Sequence, residues 1–169
     1  VAFIWLDGMA RSGPNPFQDK RVRQAINYAA NIDGYIKHIM KGRAVRIATW
    51  ASPYAFGYDP SVKPYPYDPE KAKKLLAEAG YPKGFHGGTY YPYNGPYWPQ
   101  GEMIANYLTA AGITLDTVLL DRPSWTAHRS SGKMITFSPK TTHHPDQFGD
   151  NHAGLEKAVP QTARTFTRT

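Results

Sequence analysis

The chain has 169 residues, with 20 Lys and Arg against 13 Asp and Glu for a net charge of +7, 41% hydrophobic residues and no cysteine. That length supports one domain with a real core, the missing thiols exclude disulfides and thiolate metal sites, and no apolar run approaches the ~20 residues that span a bilayer as a helix. Eight basic residues (Arg11, Lys20, Arg21, Arg23, Lys37, Lys41, Arg43, Arg46) face only Asp19 and Asp33 between positions 11 and 46. Phosphate binding needs such charges gathered on one side, whereas their interleaving with an apolar helical period points to the solvated faces of two helices.

VAFIWLD (1–7) is a short apolar run of strand type bounded by Gly8, and RSGPNPFQ is a loop by its Gly and Pro content. Asp19 has the chemistry of an N-cap, and Val22, Ala25, Ile26 and Ala29 then repeat at i, i+3, i+4 and i+7, which predicts a helix over 20–30. Asn31 is expected to cap a second helix over 32–41, carrying Ile32, Ile36, Ile39 and Met40 and closed by Gly42. Residues 43–67 mix Pro, Gly and aromatics without a period, which predicts a long ordered loop held to the rest by its rings.

DPEKAKKLLAEAGYPKGF (68–85) is the clearest local signal in the chain. Asp68 can accept the free N–H groups of a helix start, and Pro69 fits the first helical position, where no N–H is needed. Ala72, Leu75, Leu76 and Ala79 form one apolar face, Gly80 can take the left-handed conformation, and Pro82 stops continuation, so a helix is expected over 69–79. GGTYYPY (87–93) reads as a strand entering a turn at Asn94-Gly95-Pro96. Pro99 opens a helix over 99–111 that buries Ile104, Tyr107, Leu108 and Ala111 and ends at Gly112. ITLDTVLL (113–120) alternates as a strand, Ser124 caps a short helix, and KMITF (133–137) is a further strand. Helix and strand patterns therefore alternate, as in an α/β structure with helices packed on a mixed sheet. After Phe137 no core pattern continues, and residues 159–169, rich in Thr and Arg, are expected to be disordered.

Few residues suggest catalysis. There is no phosphate-binding glycine loop, nucleophile elbow or zinc-binding His-Glu-x-x-His helix, and no enzyme is expected. The richest binding segment is YYPYNGPYW (90–98), with four tyrosines and a tryptophan at a strand-to-helix junction, where open α/β sheets favour ligands. Tyr91 and Tyr93 share one strand face and Tyr90 the other, so part of the cluster is core. Tyr97 and Trp98, past the strand, are the better ligand contacts, with Asn94 available for orientation. His143, His144, Asp146, Asp150 and His152 lie close in sequence. Imidazole and carboxylate suit Zn, Ni or Cu, but the spacing matches no established metal site, so a solvated polar loop is the default and no cofactor is expected.

Three phrases in order, PFQDKRVRQAINYAANIDGYIKHIMKG, GYDPSVKPYPY and DPEKAKKLLAEAGYPKGF, resemble the family 5 extracellular solute-binding proteins, the dipeptide-, oligopeptide- and nickel-binding components of bacterial importers, over about residues 1–137. The resemblance implies one lobe of a type II periplasmic-binding-protein-like fold, incomplete in its C-terminal part because family members are much longer. It divides the chain into a lobe (1–137) whose residues 1–8 form an interlobe hinge strand, a divergent cleft-side region (138–158) and a tail (159–169).

It also implies a monomeric fragment of the substrate-binding component of an ABC importer, periplasmic or cell-surface associated. Such a component takes a peptide or sugar-like solute into an interlobe cleft and presents it to a membrane permease, without nucleic acid. In the family the loops matching 93–98 and 138–146 face that cleft, which nominates Tyr93, Asn94, Tyr97, Trp98, Thr141 and His143 as ligand contacts.

Three departures are visible. The first loop has no Arg to clamp a carboxylate. HPDQF (144–148) resembles the family's Asp-Pro-Asp-Asn-Phe, but Thr141, Thr142 and His143 stand where an Asp is expected. Asp7 fills a position usually held by Asn. The competing reading is a basic nucleic-acid or anionic-surface binding module that uses the 11–46 charges with the Tyr/Trp cluster as stacking platforms, and steep salt dependence would distinguish it.

Overall fold

Asp19, Asn31 and Asp68 each cap the helix that follows, as their side-chain oxygens allow. Asp19 Oδ1 accepts from the Arg21 amide at 2.7 Å, Asn31 Oδ1 from Gly34 at 2.8 Å and Asp68 Oδ1 from Lys71 at 2.9 Å. They open α1 (Lys20–Ala29), α2 (Ile32–His38) and α3 (Pro69–Glu78). The computed structural model describes residues 2–4, 6, 14–49, 53–54, 58–92, 98–130 and 139–141. Before the helices lie the strand β1 (Ala2–Ile4) and a 3-10 turn at Pro16–Gln18. After them run β2 (Phe85–Tyr90), α4 (Trp98–Ala110), β3 (Ile113–Thr117), α5 (Arg122–Ser130) and β4 (Pro139–Thr141). The chain divides into a larger unit, 3–140, and a smaller one made of 1–2 and 141–169. No helix among the described residues is long and apolar enough to cross a membrane.

α1 buries Val22, Ala25, Ile26 and Ala29, and α3 buries Ala72 and Leu76 in the same cluster. Two hydrogen bonds fix how they lie. The Asp68 amide, at the start of α3, donates to the Tyr28 carbonyl near the end of α1 at 2.9 Å. Arg21, at the start of α1, donates through Nη1 to the Glu78 carbonyl at the end of α3. The pair is therefore antiparallel and tied at both ends. Lys71 Nζ stands 4.4 Å from the Tyr28 ring centroid, and the Tyr65 ring meets Tyr28 edge-on at 5.0 Å.

β2 and β3 pair in parallel, joined through α4, with Phe85 opposite Ile113 and Tyr90 opposite Thr117. Parallel neighbours need such a crossover. The strands start where Gly84 (φ 75°) meets Gly112 (φ 101°). A Cβ on Gly84 would lie 1.9 Å from the Gly112 carbonyl oxygen, so only glycine permits this approach. The register slips between His86 and Thr89, a bulge at Gly87 and Gly88 that turns Tyr90 into the core after Gly87. Ile113, Leu108, Ile104 and Phe17 pack with it. β1 and β4 form a second two-stranded sheet, so the described strands come as two pairs instead of one mixed sheet.

The structure corrects several expectations. β2 covers 85–90 where 87–93 was predicted; Pro92, which has no N–H to give a ladder, follows its end. β3 stops at Thr117, short of 120, as the chain turns toward the Asp121 cap of α5. Ser124 is not that cap: Pro123 has no amide, so the Asp121 carboxylate accepts instead from the Ser124 amide at 2.8 Å. α2 ends at His38, where Lys41 and Gly42 adopt positive φ and the Gly42 amide turns back to the Ile36 carbonyl. Ile39, past the end of that helix, is 61% exposed, and Leu75, on the apolar face of α3, is half-buried.

The supposed loop at RSGPNPFQ contains the 3-10 turn, and its Phe17 is wholly buried. In the 43–67 segment, Tyr65 and Tyr67 pack on Tyr28 and Tyr107, but Tyr54 is fully exposed. The strand expected at 133–137 and the tail at 159–169 lie outside the described residues.

Candidate functional site

The carboxyl ends of the parallel pair, Tyr90 on β2 and Thr117 on β3, form the kind of strand end where α/β folds place ligands. Tyr90 is 0% exposed, and burial pushes its phenol pKa up. Pro92 is buried beyond it, against α4. Gly101 makes this seat possible: a Cβ there would come within 2.7 Å of Pro92 Cβ and 3.1 Å of Tyr90 Oη.

The backbone leaving β2 is held from two further sides. The Val118 amide, just past β3, donates to the Tyr90 carbonyl at 2.9 Å. Trp125 Nε1, on α5, donates to the Tyr91 carbonyl at 3.2 Å. The His128 ring lies 5.6 Å from the Tyr91 ring at an interplanar angle of 40°, its Nδ1 within 3.0 Å of the Ser124 carbonyl. The Ser124 contacts that cap α5 also hold the Asp121 carboxyl below its usual range.

The carbonyls of Tyr90 and Tyr91 are both taken up within this arrangement, which fixes the chain up to Pro92. Among the described residues no group of three or more His, Cys, Asp or Glu could hold a metal ion. The described hollows are open and lie on the α2–α4 side. One, of about 340 Å³, is lined by Tyr35, Ile39, Met103 and Tyr107, and another, of about 550 Å³, runs along α4 past Glu102 and Asn106.

Of the residues nominated from sequence, Trp98 is the first residue of α4, one earlier than expected, and Thr141 is the last residue of β4 instead of lying in a loop. A β-branched threonine suits that extended position. Tyr93, Asn94, Tyr97 and His143 lie outside the described residues, as do His144, Asp146, Asp150 and His152. Of the six nominees, only Trp98 and Thr141 therefore fall among the described residues. The sequence reads His128 as an isolated surface or satisfied core residue, and the structure shows it held by the Ser124 carbonyl and the Tyr91 ring. Trp125 is not singled out by any motif, and no local pattern links it to Tyr91.

Three arginines of the basic cluster are engaged within the chain. Arg21 is paired with Asp19 at 2.6 Å, and Arg23 Nη1 donates to the Phe17 and Gln18 carbonyls at 2.7 Å. Arg46 pairs with Asp33 at 2.8 Å, its side chain only 12% exposed. Guanidinium groups committed in this way are poorly placed to take up phosphates.

Comparison with known proteins gives a family. The model of bacterial extracellular solute-binding proteins, family 5 Middle, matches residues 3–150, so the match runs past the point where the core pattern fades. The chain is 42% identical over 96 residues to the dipeptide-binding protein of Escherichia coli K12, which is 56% of this chain and 18% of that protein. It is 46% identical over 70 residues to heme-binding protein A of Haemophilus influenzae, which is 41% of this chain and 13% of that one.

Among solved structures, the DppA periplasmic binding protein of Helicobacter pylori, in complex with the peptide STSA, is similar with a TM-score of 0.71 and 29% identity over 82% of this chain and 26% of that chain. A Pseudoalteromonas dipeptide-binding protein with Met-Leu bound has the same fold, with a TM-score of 0.71 and 22% identity over 88% of this chain and 30% of that one. The chain spans less than a fifth of the length of the curated relatives named above. Its fold is that of the type II periplasmic binding proteins, and the chain belongs to the family 5 bacterial extracellular solute-binding proteins.

Proposed function

We propose that this chain is one lobe of the solute receptor of an ABC importer, outside the cytoplasmic membrane, and that it performs no chemistry. The observation that carries this reading is the family match over 3–150. The receptor captures a small solute by closing two lobes around it, a ligand-driven shift of population, and delivers it to a membrane permease. In this reading 1–137 is the lobe with its hinge strand at 1–8, 138–158 faces the cleft and 159–169 is a tail. Tyr93, Asn94, Tyr97, Trp98, Thr141 and His143 are its solute contacts. The strand-end geometry of β2 and the binding-protein names of the relatives support this assignment.

The solute has flat or sugar-like faces, or is a peptide held by its backbone. No Arg occurs between 90 and 98, and burying a peptide's charged ends without partners costs several kcal/mol. A free dipeptide would need both counter-charges from the other lobe. Because small-molecule sites bury roughly 70–90% of the ligand, this chain alone should bind weakly. The test is calorimetry on the two-lobed receptor with short peptides and sugar-like solutes. Trp98→Ala should weaken binding by at least ~1 kcal/mol, the scale of a lost ring contact. Unchanged affinity would mean that the ring is structural and would sink the site assignment.

A further inference from the structure

We propose that the trough between α2 and α4 is an internal docking surface of the receptor, covered by an apolar segment of receptor polypeptide outside these 169 residues. The proposal rests on the two-lobed reading and adds to it a place where the remainder of the molecule packs. α4 carries two apolar stripes. Ile104 and Leu108 turn the first into the core. Pro99, Met103, Tyr107 and Ala110 recur at i, i+4, i+8 and i+11 and make a second stripe along the same helix. They line the hollow of about 550 Å³, and the first three also line the one of about 340 Å³. A helix apolar over most of its circumference belongs inside a protein.

α2 shows the same shortfall. It has apolar residues at helical spacing, Ile32, Tyr35 and Ile36, yet none of its residues is buried, whereas α1 and α3 both bury part of their apolar faces. Tyr35 and the 61% exposed Ile39 line the smaller hollow from the α2 side. Tyr67, whose ring lies 5.8 Å from that of Tyr107, is 42% exposed. Among the described residues, two helices therefore meet along a seam that is apolar on both walls and left open.

The occupant follows from chemistry and length. Glu102 and His38 are the only ionisable side chains lining the two hollows apart from tyrosines, so the surface suits an apolar segment with few charges. The chain spans 26% of the Helicobacter DppA chain and 18% of the Escherichia coli dipeptide-binding protein. On the receptor reading, most of the polypeptide therefore remains to be placed. A second copy is a poorer occupant, because a net charge of +7 opposes self-association. A small solute is poorer too, because solute sites enclose roughly 70–90% of the ligand and these hollows are open.

The chain has no cysteine, so Ile39→Cys places one thiol in the trough and Lys74→Cys places a reference thiol on the exposed side of α3. Maleimide labelling is read peptide by peptide by mass spectrometry, without solute, in this chain and in the two-lobed receptor. The two thiols should label alike in the chain. In the receptor, Ile39→Cys should label at least about tenfold more slowly, as expected when a group reacts only on transient opening, with Lys74→Cys unchanged. Equal labelling of Ile39→Cys in both proteins overturns the proposal. So does slow labelling in the chain alone that speeds on dilution, which would make a second copy the cover. Slowing in the receptor only after a short peptide is added would assign the trough to solute capture and also overturns it. Should Ile39→Cys fail to fold, Ala110→Cys reads the same surface from α4 with the same outcomes. The deciding comparison contains no solute, so its failure is separable from that of the Trp98→Ala test.

Discussion

Asp19 and Arg21 act as one device. The carboxylate accepts the Arg21 amide, and so caps α1, while also gripping the guanidinium through Nε and Nη2, and Nη1 reaches the Glu78 carbonyl. The Arg21 side chain, then its backbone amide, holds the Asp19 carboxyl below its ordinary value of 3.8. A carboxyl depressed on folding contributes stability above its unfolded pKa and loses it as pH falls through the folded one. Melting temperature should therefore be level near neutrality and fall below about pH 4. In Asp19→Ala the acid limb should be shallower; superimposable acid limbs would refute the coupling.

Leu76, 2% exposed between the two helices, sets the scale of the core. Leu76→Ala should cost on the order of 2–5 kcal/mol by urea denaturation, the spread depending on how far the site collapses. A cost near zero would mean that α3 is not packed as described.

Helix starts were legible because capping is settled within four residues. The Asp68→Ala change tests the largest of these signals: it should cost about 1 kcal/mol, seen as a lower urea midpoint with an unchanged slope, since the Asp68 amide still reaches Tyr28. A shifted slope would indicate that α3 itself unravels. One such signal was overlooked. Asn15 and Gln18 form a reciprocal capping box around Pro16 and Phe17, in a stretch that looked like loop.

Strand limits were less legible because a partner decides them. The bulge at Gly87 and Gly88 exists only in register with β3. The division of the aromatic cluster was half readable: alternation set Tyr90 apart from Tyr91, but the grip of α5 on Tyr91 is a contact across 34 residues that no local pattern announces. On the proposed reading, which of the later rings meet solute would depend on groups outside this chain, which no local pattern in it sets.

At the scale of the whole molecule, α1 and α3 are joined by the long segment between them and also by bonds at both ends of their interface. Tyr54, fully exposed, stands in that segment. A chymotrypsin cut after Tyr54 would sever the covalent path and leave every one of those bonds intact. The nicked product should elute from a sizing column as one particle, and pieces 1–54 and 55–169, made separately, should recover helical circular dichroism only when mixed. Two pieces that elute apart would show that the tether, not the interface, keeps the helices together. If they stay joined, the lobe is in effect a heterodimer whose partners share one chain, and the stretch around the exposed Tyr54 can change in length at little cost to the core.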